Sequence, residues 1–543
     1  MKFLINPNIL IILSFLIPVN IYSQKKITGS DLITSTDLES YVSFLASPLL
    51  KGRKNGTPGL DIAQQYIVSN AKLLGLKPVN GTTWFQPYQV IRKTIDPVKS
   101  ELRIASGEGD TVKIKENIYQ LFPTDPSDIS IEGEIVFAGY GLNREKYNYN
   151  DFEGITTEGK ILLVMTRSPT TEDGNKYKFE GDDWSDVRSY SVKLRSLLFS
   201  KAKAILFVSD PKSGYSSFEE QEPGIAASLN SSMHLKGNEP KVFFLPGMMR
   251  ILFISRNVAD ELLKGTGEDL AGLQKRIDHD LKPYSFNIPG RHISINIVTT
   301  SEEITLNNVA AYIEGSDPVL KNEFLIYSSH ADHIGGSGNR INTGADDNAT
   351  GCAALLSIAE AFQGLEKKPL RSIMFLWVSG EEIGLFGSEY YVNNPLIPLE
   401  QTVANINIDM IGRVKGIADT TADNPMTGLN EVFVITGNQS RELVNIAKDV
   451  DDEKELNFDY SLSGRNHHLQ LFTRSDHYNF VKKDIPVLFF STGLHTDYHS
   501  PRDVVEKIDF RKMERISEAL FLIGYKVANL KSRPKVNNPY SKW

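Results

Sequence analysis

An apolar run that ends in two acids decides the fold: Ser372-Ile-Met-Phe-Leu-Trp-Val-Ser-Gly-Glu-Glu-Ile-Gly384. An uninterrupted apolar run of this length is typical of a strand that is buried on both faces of an α/β sheet. Adjacent carboxylates at the end of such a strand are costly unless cations or protons accompany them. The stretch therefore predicts a buried strand with a charged site at its end.

Similar apolar runs alternate with helical patterns from about residue 290 to the end of the chain. The predicted strands are 308–313, 324–328, 372–378, 403–408, 432–436 and 486–490, and predicted helices follow Asp347, Glu382, Gln439 and Asp509. This alternation is typical of a sheet that is covered by helices on both faces. We therefore expect an α/β fold in this part of the chain.

The length of 543 residues is too great for one compact core, so two domains, or one domain with an insertion, are expected. Residues 106–265 differ from their surroundings, because short β-rich runs there are separated by polar, turn-rich stretches. We interpret 106–265 as an inserted domain. Residues 24–105 and 266–543 are then the two parts of the catalytic domain.

The N-terminus has the features of an export signal. Lys2 supplies a positive start, 9–19 is largely apolar, and Ser23 offers a small residue for cleavage before Gln24. The apolar stretch is shorter than the ~20 residues of a spanning helix. We expect a signal peptide over 1–23, an exported protein in the periplasm or the medium, and no membrane span in the mature chain.

The net charge and the single cysteine bear on possible partners and on the catalytic chemistry. The net charge of −8, without a run of Lys or Arg, indicates no nucleic-acid partner. Cys352 is the only cysteine, so an internal disulfide is excluded. The apolar residues around Cys352 recur at helical spacing, which predicts a buried thiol on a helix face rather than a nucleophile.

Five acids and histidines occur in short signatures that suit metal ligands, mostly at the ends of predicted strands. They are His330, Asp346, Glu382, Asp409 and His499. Two imidazoles and three carboxylates are what two Zn²⁺ ions with one bridging carboxylate need. Taken alone, a pattern such as His330-Ala-Asp332 is more often structural, but here Asp332 could accept the other ring N–H of His330.

In each of two pairs of adjacent acids, we expect the two carboxylates to have different roles. In Gly344-Ala-Asp-Asp-Asn-Ala-Thr-Gly351, one acid can cap the following helix, and we assign the bridge between the ions to Asp346. In the second pair, we expect Glu382 to bind a metal and Glu381 to act as general base.

Other histidines are interpreted as structural or as supports of the ligands: His333, His477, His495, His467 and His468. Arg474 or Tyr478 is a candidate for stabilising the anionic intermediate.

The five signatures, in this order, resemble the di-zinc exopeptidases of metallopeptidase family 28. The resemblance implies a three-layer α/β/α mixed-sheet domain and two Zn²⁺ ions. It implies that His330 and Asp409 bind one ion, that Glu382 and His499 bind the other, and that Asp346 bridges them. It further implies that Asp332 orients His330, that Glu381 is the base, and that the Asp346–Asp347 peptide bond is cis. Residues 45–59 resemble a segment of this family, and the middle block resembles its inserted protease-associated domain.

Three functions remain open. The favoured one is an aminopeptidase acting on peptides. The second keeps the metal site but is a carboxypeptidase of acidic dipeptides, which needs arginines near the substrate; only Arg413 and Arg474 lie close in sequence to the site. The third is a non-catalytic relative that binds partners through the inserted domain. The oligomeric state and the preferred side chain are not indicated by the sequence.

Overall fold

The computed structural model describes residues 29–542 except 107–108, 123–124, 180, 182–189, 223–224, 227–228, 239–248, 339, 418 and 420–424. The expected signal peptide lies outside the described residues. Among the described helices, none has both the length and the apolar character needed to cross a membrane. The described residues form two compact units: those within 29–86, 308–378 and 391–542 form the first, and those within 87–307 and 379–390 form the second.

The first unit is built on a mixed sheet whose centre is parallel. The neighbouring strands are, in spatial order, Thr299–Ile313, Ser372–Val378, Phe324–His330, Thr402–Ile408, Val487–Ser491, Val432–Ile435 and Phe458–Asp459. The second to fifth of these strands run parallel, and antiparallel partners flank them on both sides. All six predicted strands are therefore confirmed.

Helices cover this sheet on both faces. Successive residues of a strand therefore point into two different apolar cores, one on each face. Leu325 and Tyr327 belong to one core, whereas Ile326 belongs to the other. The helices of the unit are Ser35–Leu45, Pro58–Leu73, Gly351–Gln363, Arg441–Lys454, His477–Val481 and Phe510–Ala528, and Phe386–Asn393 begins in the segment assigned to the second unit. The four predicted helices are confirmed, and with them the α/β/α mixed-sheet fold class.

The second unit holds an eight-stranded sheet with its own buried core. Its strand order is Thr111–Ile114, Glu101–Ser106, Phe286–Ile297, Ile129–Phe137, Ile161–Met165, Ala204–Val208, Arg250–Ile254 and Tyr119–Phe122. Its helices are Tyr190–Phe199, Phe218–Gln221, Arg256–Leu263 and Leu270–Asp280. In addition, Ser231–Leu235 pairs with Phe85–Ile95. The unit is wider than 106–265, because strands before and after that range complete the same sheet; its nature as a protease-associated domain stays a prediction.

Candidate metal centre

Neighbouring parallel strands deliver the first group of candidate ligands to one edge of the sheet. His330 is the last residue of Phe324–His330, and Asp409 directly follows Thr402–Ile408. The His330 Nε2 atom lies 3.2 Å from Asp409 Oδ1 and 3.3 Å from Asp347 Oδ1. All three side chains are buried. The carboxyl edge of a parallel sheet, where open α/β folds bind ligands, thus holds one imidazole and two carboxylates.

Asp347 faces a second group with its other oxygen. Asp347 Oδ2 lies 3.2 Å from His499 Nε2 and 3.6 Å from His333 Nδ1. Burial opposes ionisation of Asp347, but the charge of His333 and the imidazoles of His330 and His499 outweigh it and hold the pKa of this carboxyl well below its ordinary value. Asp347 is therefore an anion whose two oxygens point to two separate histidine-containing groups.

The spacing within both groups fits metal ligands better than direct hydrogen bonds. Hydrogen bonds between an imidazolium and a carboxylate are typically about 2.7–2.9 Å long. Two atoms that bind one tetrahedral Zn²⁺ at about 2.0–2.1 Å lie about 3.3–3.5 Å apart. The four distances of 3.2–3.6 Å fall around the second range. His330, Asp347 and Asp409 form one candidate metal group.

The structure places Asp346 differently from the expectation that it bridges two ions. Asp346 Oδ1 accepts hydrogen bonds from Gly412 N, at 2.7 Å, and from the Thr350 hydroxyl, at 3.3 Å. Its Oδ2 faces His495 Nε2 at 3.4 Å. The Asp346 carboxylate is thus engaged by these contacts, and Asp347 is the acid whose two oxygens face the two groups. The cis peptide bond likewise joins Asp347 and Asn348, one residue later than expected.

A second carboxylate fixes this loop from behind. Asp503 accepts the backbone N–H groups of both Asp346 and Asp347 at 3.1 Å. Burial and the charge of Asp346 raise the pKa of Asp503. Asp503 also has Arg413 Nη1 at 3.8 Å, and Arg413 donates to Asp497 at 2.9 Å. The direction of the Asp347 side chain is therefore set through its own backbone.

The N-terminal segment that resembles family 28 supports His330 and its neighbours. The buried Arg53 guanidinium donates to the carbonyl oxygens of Leu45, Ala331, Thr343 and Gly344 at 2.5–3.0 Å. Asn55 Nδ2 donates to Asp332 Oδ2 at 2.6 Å. His330 Nδ1 lies 3.2 Å from the carbonyl oxygen of Asp332 and 3.8 Å from its carboxylate. Asp332 therefore lies beside the ring nitrogen that it was expected to orient, with its carbonyl closer than its carboxylate.

Ser475 was missed by the sequence analysis. Its hydroxyl donates to Asp409 Oδ2 at 2.8 Å and accepts from Asn407 Nδ2 at 2.9 Å. This hydrogen bond orients the carboxylate so that Asp409 Oδ1 faces His330. A buried serine 66 residues away in sequence carries no recognisable motif, so only the fold could reveal it.

The two adjacent glutamates lie in a turn after strand Ser372–Val378. Both are half-buried, and the Glu381 carbonyl accepts the N–H groups of Gly384 and Leu385 at 3.0 Å. The last residue of the strand, Val378, is the register partner of His330. The turn thus begins directly after the residue that pairs with His330.

The remaining histidines differ in their surroundings. His333 is buried and lies beside Asp347, which was not foreseen. His477 is structural, because burial lowers its pKa to about 3 and its Nε2 lies 2.9 Å from the Phe472 carbonyl oxygen. Burial and the Tyr540 hydroxyl, 3.3 Å away, raise the pKa of Tyr478 to about 12. The roles expected for Tyr478 and Arg474 stay predictions.

Comparison with known proteins gives a consistent result. Residues 308–523 match the model of peptidase family M28. The chain is 37% identical to leupeptin-inactivating enzyme 1 of Streptomyces exfoliatus over 114 residues, which cover 21% of this chain and 24% of that protein. It is 24% identical to aminopeptidase YwaD of Bacillus subtilis over 374 residues, which cover 63% of this chain and 75% of that protein.

The alignment covers 24% of leupeptin-inactivating enzyme 1, and an alignment with probable leucine aminopeptidase 2 of Arthroderma benhamiae covers 52% of that protein. The chain thus spans about half or less of the length of these relatives. Among solved structures, the aminopeptidase from Aneurinibacillus sp. strain AM-1 superposes with a TM-score of 0.51 at 18% identity. That match covers 94% of this chain and 96% of the other. At this level of identity the match shows a common fold.

Proposed function

We propose that the protein, whose residues 308–523 match the model of peptidase family M28, is a zinc-dependent aminopeptidase that binds two Zn²⁺ ions. The observation that carries the proposal is the position of Asp347, whose two oxygens face two different groups of candidate ligands. A shared carboxylate holds two ions at the short separation that two-metal hydrolases use.

In this proposal, each ion has its own terminal ligands. His330 and Asp409 would hold the first ion, Glu382 and His499 would hold the second, and Asp347 rather than Asp346 would be shared between them. Support for Glu382 comes from the sequence, where it follows the apolar run 372–378 as the second of two adjacent acids. Ser475 orients Asp409, and Asp332 supports the ring of His330.

When bound, the two ions supply Lewis-acid polarisation of the scissile carbonyl and lower the pKa of the attacking water. Glu381 takes the proton from that water and returns it to the departing amine. This role suits a carboxylate that directly precedes a metal ligand and is half-buried in a turn after the strand Ser372–Val378.

An amino-terminal substrate is favoured over an acidic dipeptide by the state of the nearby arginines. A carboxypeptidase of acidic dipeptides needs cationic side chains for the carboxylates of its substrate. Arg413 is already neutralised by Asp497 and Asp503, at 2.9 and 3.8 Å. Of the two arginines considered from the sequence, only Arg474 is exposed.

The test uses the zinc-loaded protein and one mixed-sequence peptide, free or N-acetylated, with products measured by mass spectrometry. We expect stepwise loss from the free N-terminus and no cleavage of the acetylated peptide. Loss from the C-terminus of both forms would replace the proposal with a carboxypeptidase. Absence of cleavage of both forms would contradict a general exopeptidase.

Two variants link the activity to the proposed base. Glu381→Gln should keep both ions and lose about 10²–10⁴-fold in kcat, because the amide cannot transfer the proton. Glu366→Gln, on the exposed surface, is the matched control and should retain wild-type kcat. Near-normal turnover of Glu381→Gln would refute the assignment of the base.

A further inference from the structure

We propose that His333 is a third metal-binding histidine, which binds the second ion through Nδ1. This inference rests on the proposed two-ion site and goes beyond it, because the resemblance to family M28 gives each ion a single histidine. His330 serves the first ion and His499 the second, so His333 would make this centre asymmetric.

The distance to Asp347 argues for a shared cation. His333 Nδ1 lies 3.6 Å from Asp347 Oδ2, the same oxygen that has His499 Nε2 at 3.2 Å. A separation of 3.6 Å is too long for a hydrogen bond. It is close to the about 3.3–3.5 Å between two atoms that bind one tetrahedral Zn²⁺.

The two imidazoles are arranged so that both can face one ion. The rings of His333 and His499 have centroids 5.7 Å apart and planes inclined at 70°, so they are not stacked on each other. One nitrogen of each ring lies near the same oxygen of Asp347. His333, Asp347 and His499 thus form one face of a coordination sphere.

The His333 ring is held in place before any metal binds. Its side chain is fully buried, and its backbone N–H donates to the Arg53 carbonyl at 3.2 Å. Gly344 lies against the ring: a Cβ atom there would be 2.6 Å from ring atoms Cγ and Cδ2. Gly344 also has φ near +60°, a conformation that favours glycine. Packing of this kind preorganises a ligand.

The consequence is a difference between the two ions. Within the first unit, the second ion would have His333, Asp347 and His499, and the Glu382 expected from the sequence would make four ligands. The first ion would have three (His330, Asp347 and Asp409). Four-ligand zinc sites are closed, and three-ligand sites keep a coordination position open. The first ion should therefore carry the open position and be the first to leave during chelation.

The direct test is a crystal structure of the zinc-loaded wild-type protein with anomalous scattering at the zinc edge. We expect two ions and His333 Nδ1 within about 2.0–2.1 Å of the one beside His499. Two ions with His333 Nδ1 more than about 3 Å from either would overturn the inference and leave the proposed function intact. The absence of bound zinc would overturn both.

A variant distinguishes a ligand from a hydrogen-bonding neighbour. His333→Gln keeps an N–H donor near Asp347 but loses the imidazole, and His279→Gln, at an exposed position, is the matched control. In a competition with a chelator, His333→Gln should lower the affinity for the more tightly held ion by more than 100-fold. The loss of a supporting hydrogen bond typically lowers metal affinity by only ~10–100-fold. Weakening within that lower range, or none, would overturn the role as ligand, and the crystal structure decides if the variant does not fold.

Discussion

Asp346 and Asp347 are chemically identical neighbours with different surroundings, so their exchange for asparagine should have different effects. Asp347→Asn should lose zinc from both sites, because an amide oxygen is a weaker bridge between two cations than a carboxylate. Asp346→Asn should keep zinc, since its oxygen can still accept from Gly412 N, and should lower the free energy of unfolding by about 1–3 kcal/mol. Zinc per chain by mass spectrometry and thermal unfolding measure the two effects. Zinc loss confined to Asp346→Asn would restore the original assignment.

The sequence predicts that this pair of acids divides two tasks, but it does not reveal which acid does which. The choice is made by Asp503, Gly412 and Thr350, which hold the loop backbone and the Asp346 side chain. Asp503 and Gly412 are far away in the sequence. His333 was interpreted as structural or supporting for a similar reason, because the direction of its ring after the strand end depends on packing against Gly344.

Ser475 should determine how firmly the first ion is held. In Ser475→Ala, Asp409 Oδ2 loses the hydroxyl that donates to it at 2.8 Å, so Asp409 becomes free to rotate. The first ion should bind about 10–100-fold more weakly, as is typical when a supporting partner of a ligand is removed. Competition with a chelator measures this change. Ser461→Ala, at an exposed position, is the control, and an unchanged zinc affinity of Ser475→Ala would show that Ser475 does not orient Asp409.

At the scale of elements, the central strands are predictable because parallel strands buried on both faces are continuous apolar runs. The strand predicted over 324–328 extends to His330, because polar Ser329 and His330 still pair with Trp377 and Val378. The sequence places the ends of these strands, and hence His330 and Asp409, within two residues. It does not predict the support that segment 45–59 gives to the loops around the site, since those contacts are long-range.

Segment 45–59 acts mainly through Arg53, and its guanidinium should not be replaceable by an ammonium group. Arg53 donates to four carbonyl oxygens, among them those of Ala331 and Gly344 in the loops of the site. A lysine lacks this planar arrangement of donors and leaves buried carbonyl groups unpaired. Arg53→Lys should lower the free energy of unfolding by on the order of 3 kcal/mol, measured by urea denaturation.

The matched control for Arg53 is Arg103→Lys, because Arg103 is half-exposed and forms a surface ion pair with Glu101. Exchanges at such positions usually change stability by less than about 0.5 kcal/mol. Equal stability of Arg53→Lys and Arg103→Lys would mean that the Arg53 contacts contribute little to the loops of the metal site.

At the scale of the whole molecule, the sequence predicts a β-rich block between two parts of an α/β unit. The expected limits, 106 and 265, both fall inside the second unit, because the sheet of this unit also contains Glu101–Ser106 and Phe286–Ile297. The limits were drawn where composition changes. Composition cannot show that strands far apart in sequence pair with each other, as these two do.

Metal binding and the stability of the first unit should be coupled, and Cys352 can report on this coupling. Cys352 is buried beneath the site, where its thiol donates to the His330 carbonyl at 3.0 Å, and burial raises the pKa of the thiol to about 11. Because the thiolate is the reactive form, the native protein should react with a thiol reagent only when this region opens. Each ion that binds only the closed form suppresses opening about 100-fold at a free concentration of 100 times Kd. Removal of zinc by a chelator should therefore accelerate labelling of Cys352 by at least about 100-fold at pH 8. Equal labelling rates with and without zinc would show that metal binding does not stabilise the part of the fold that surrounds His330. Two controls apply: the wild-type chain should be fully labelled in urea, and Cys352→Ala should not be labelled at all, since the chain has no other cysteine.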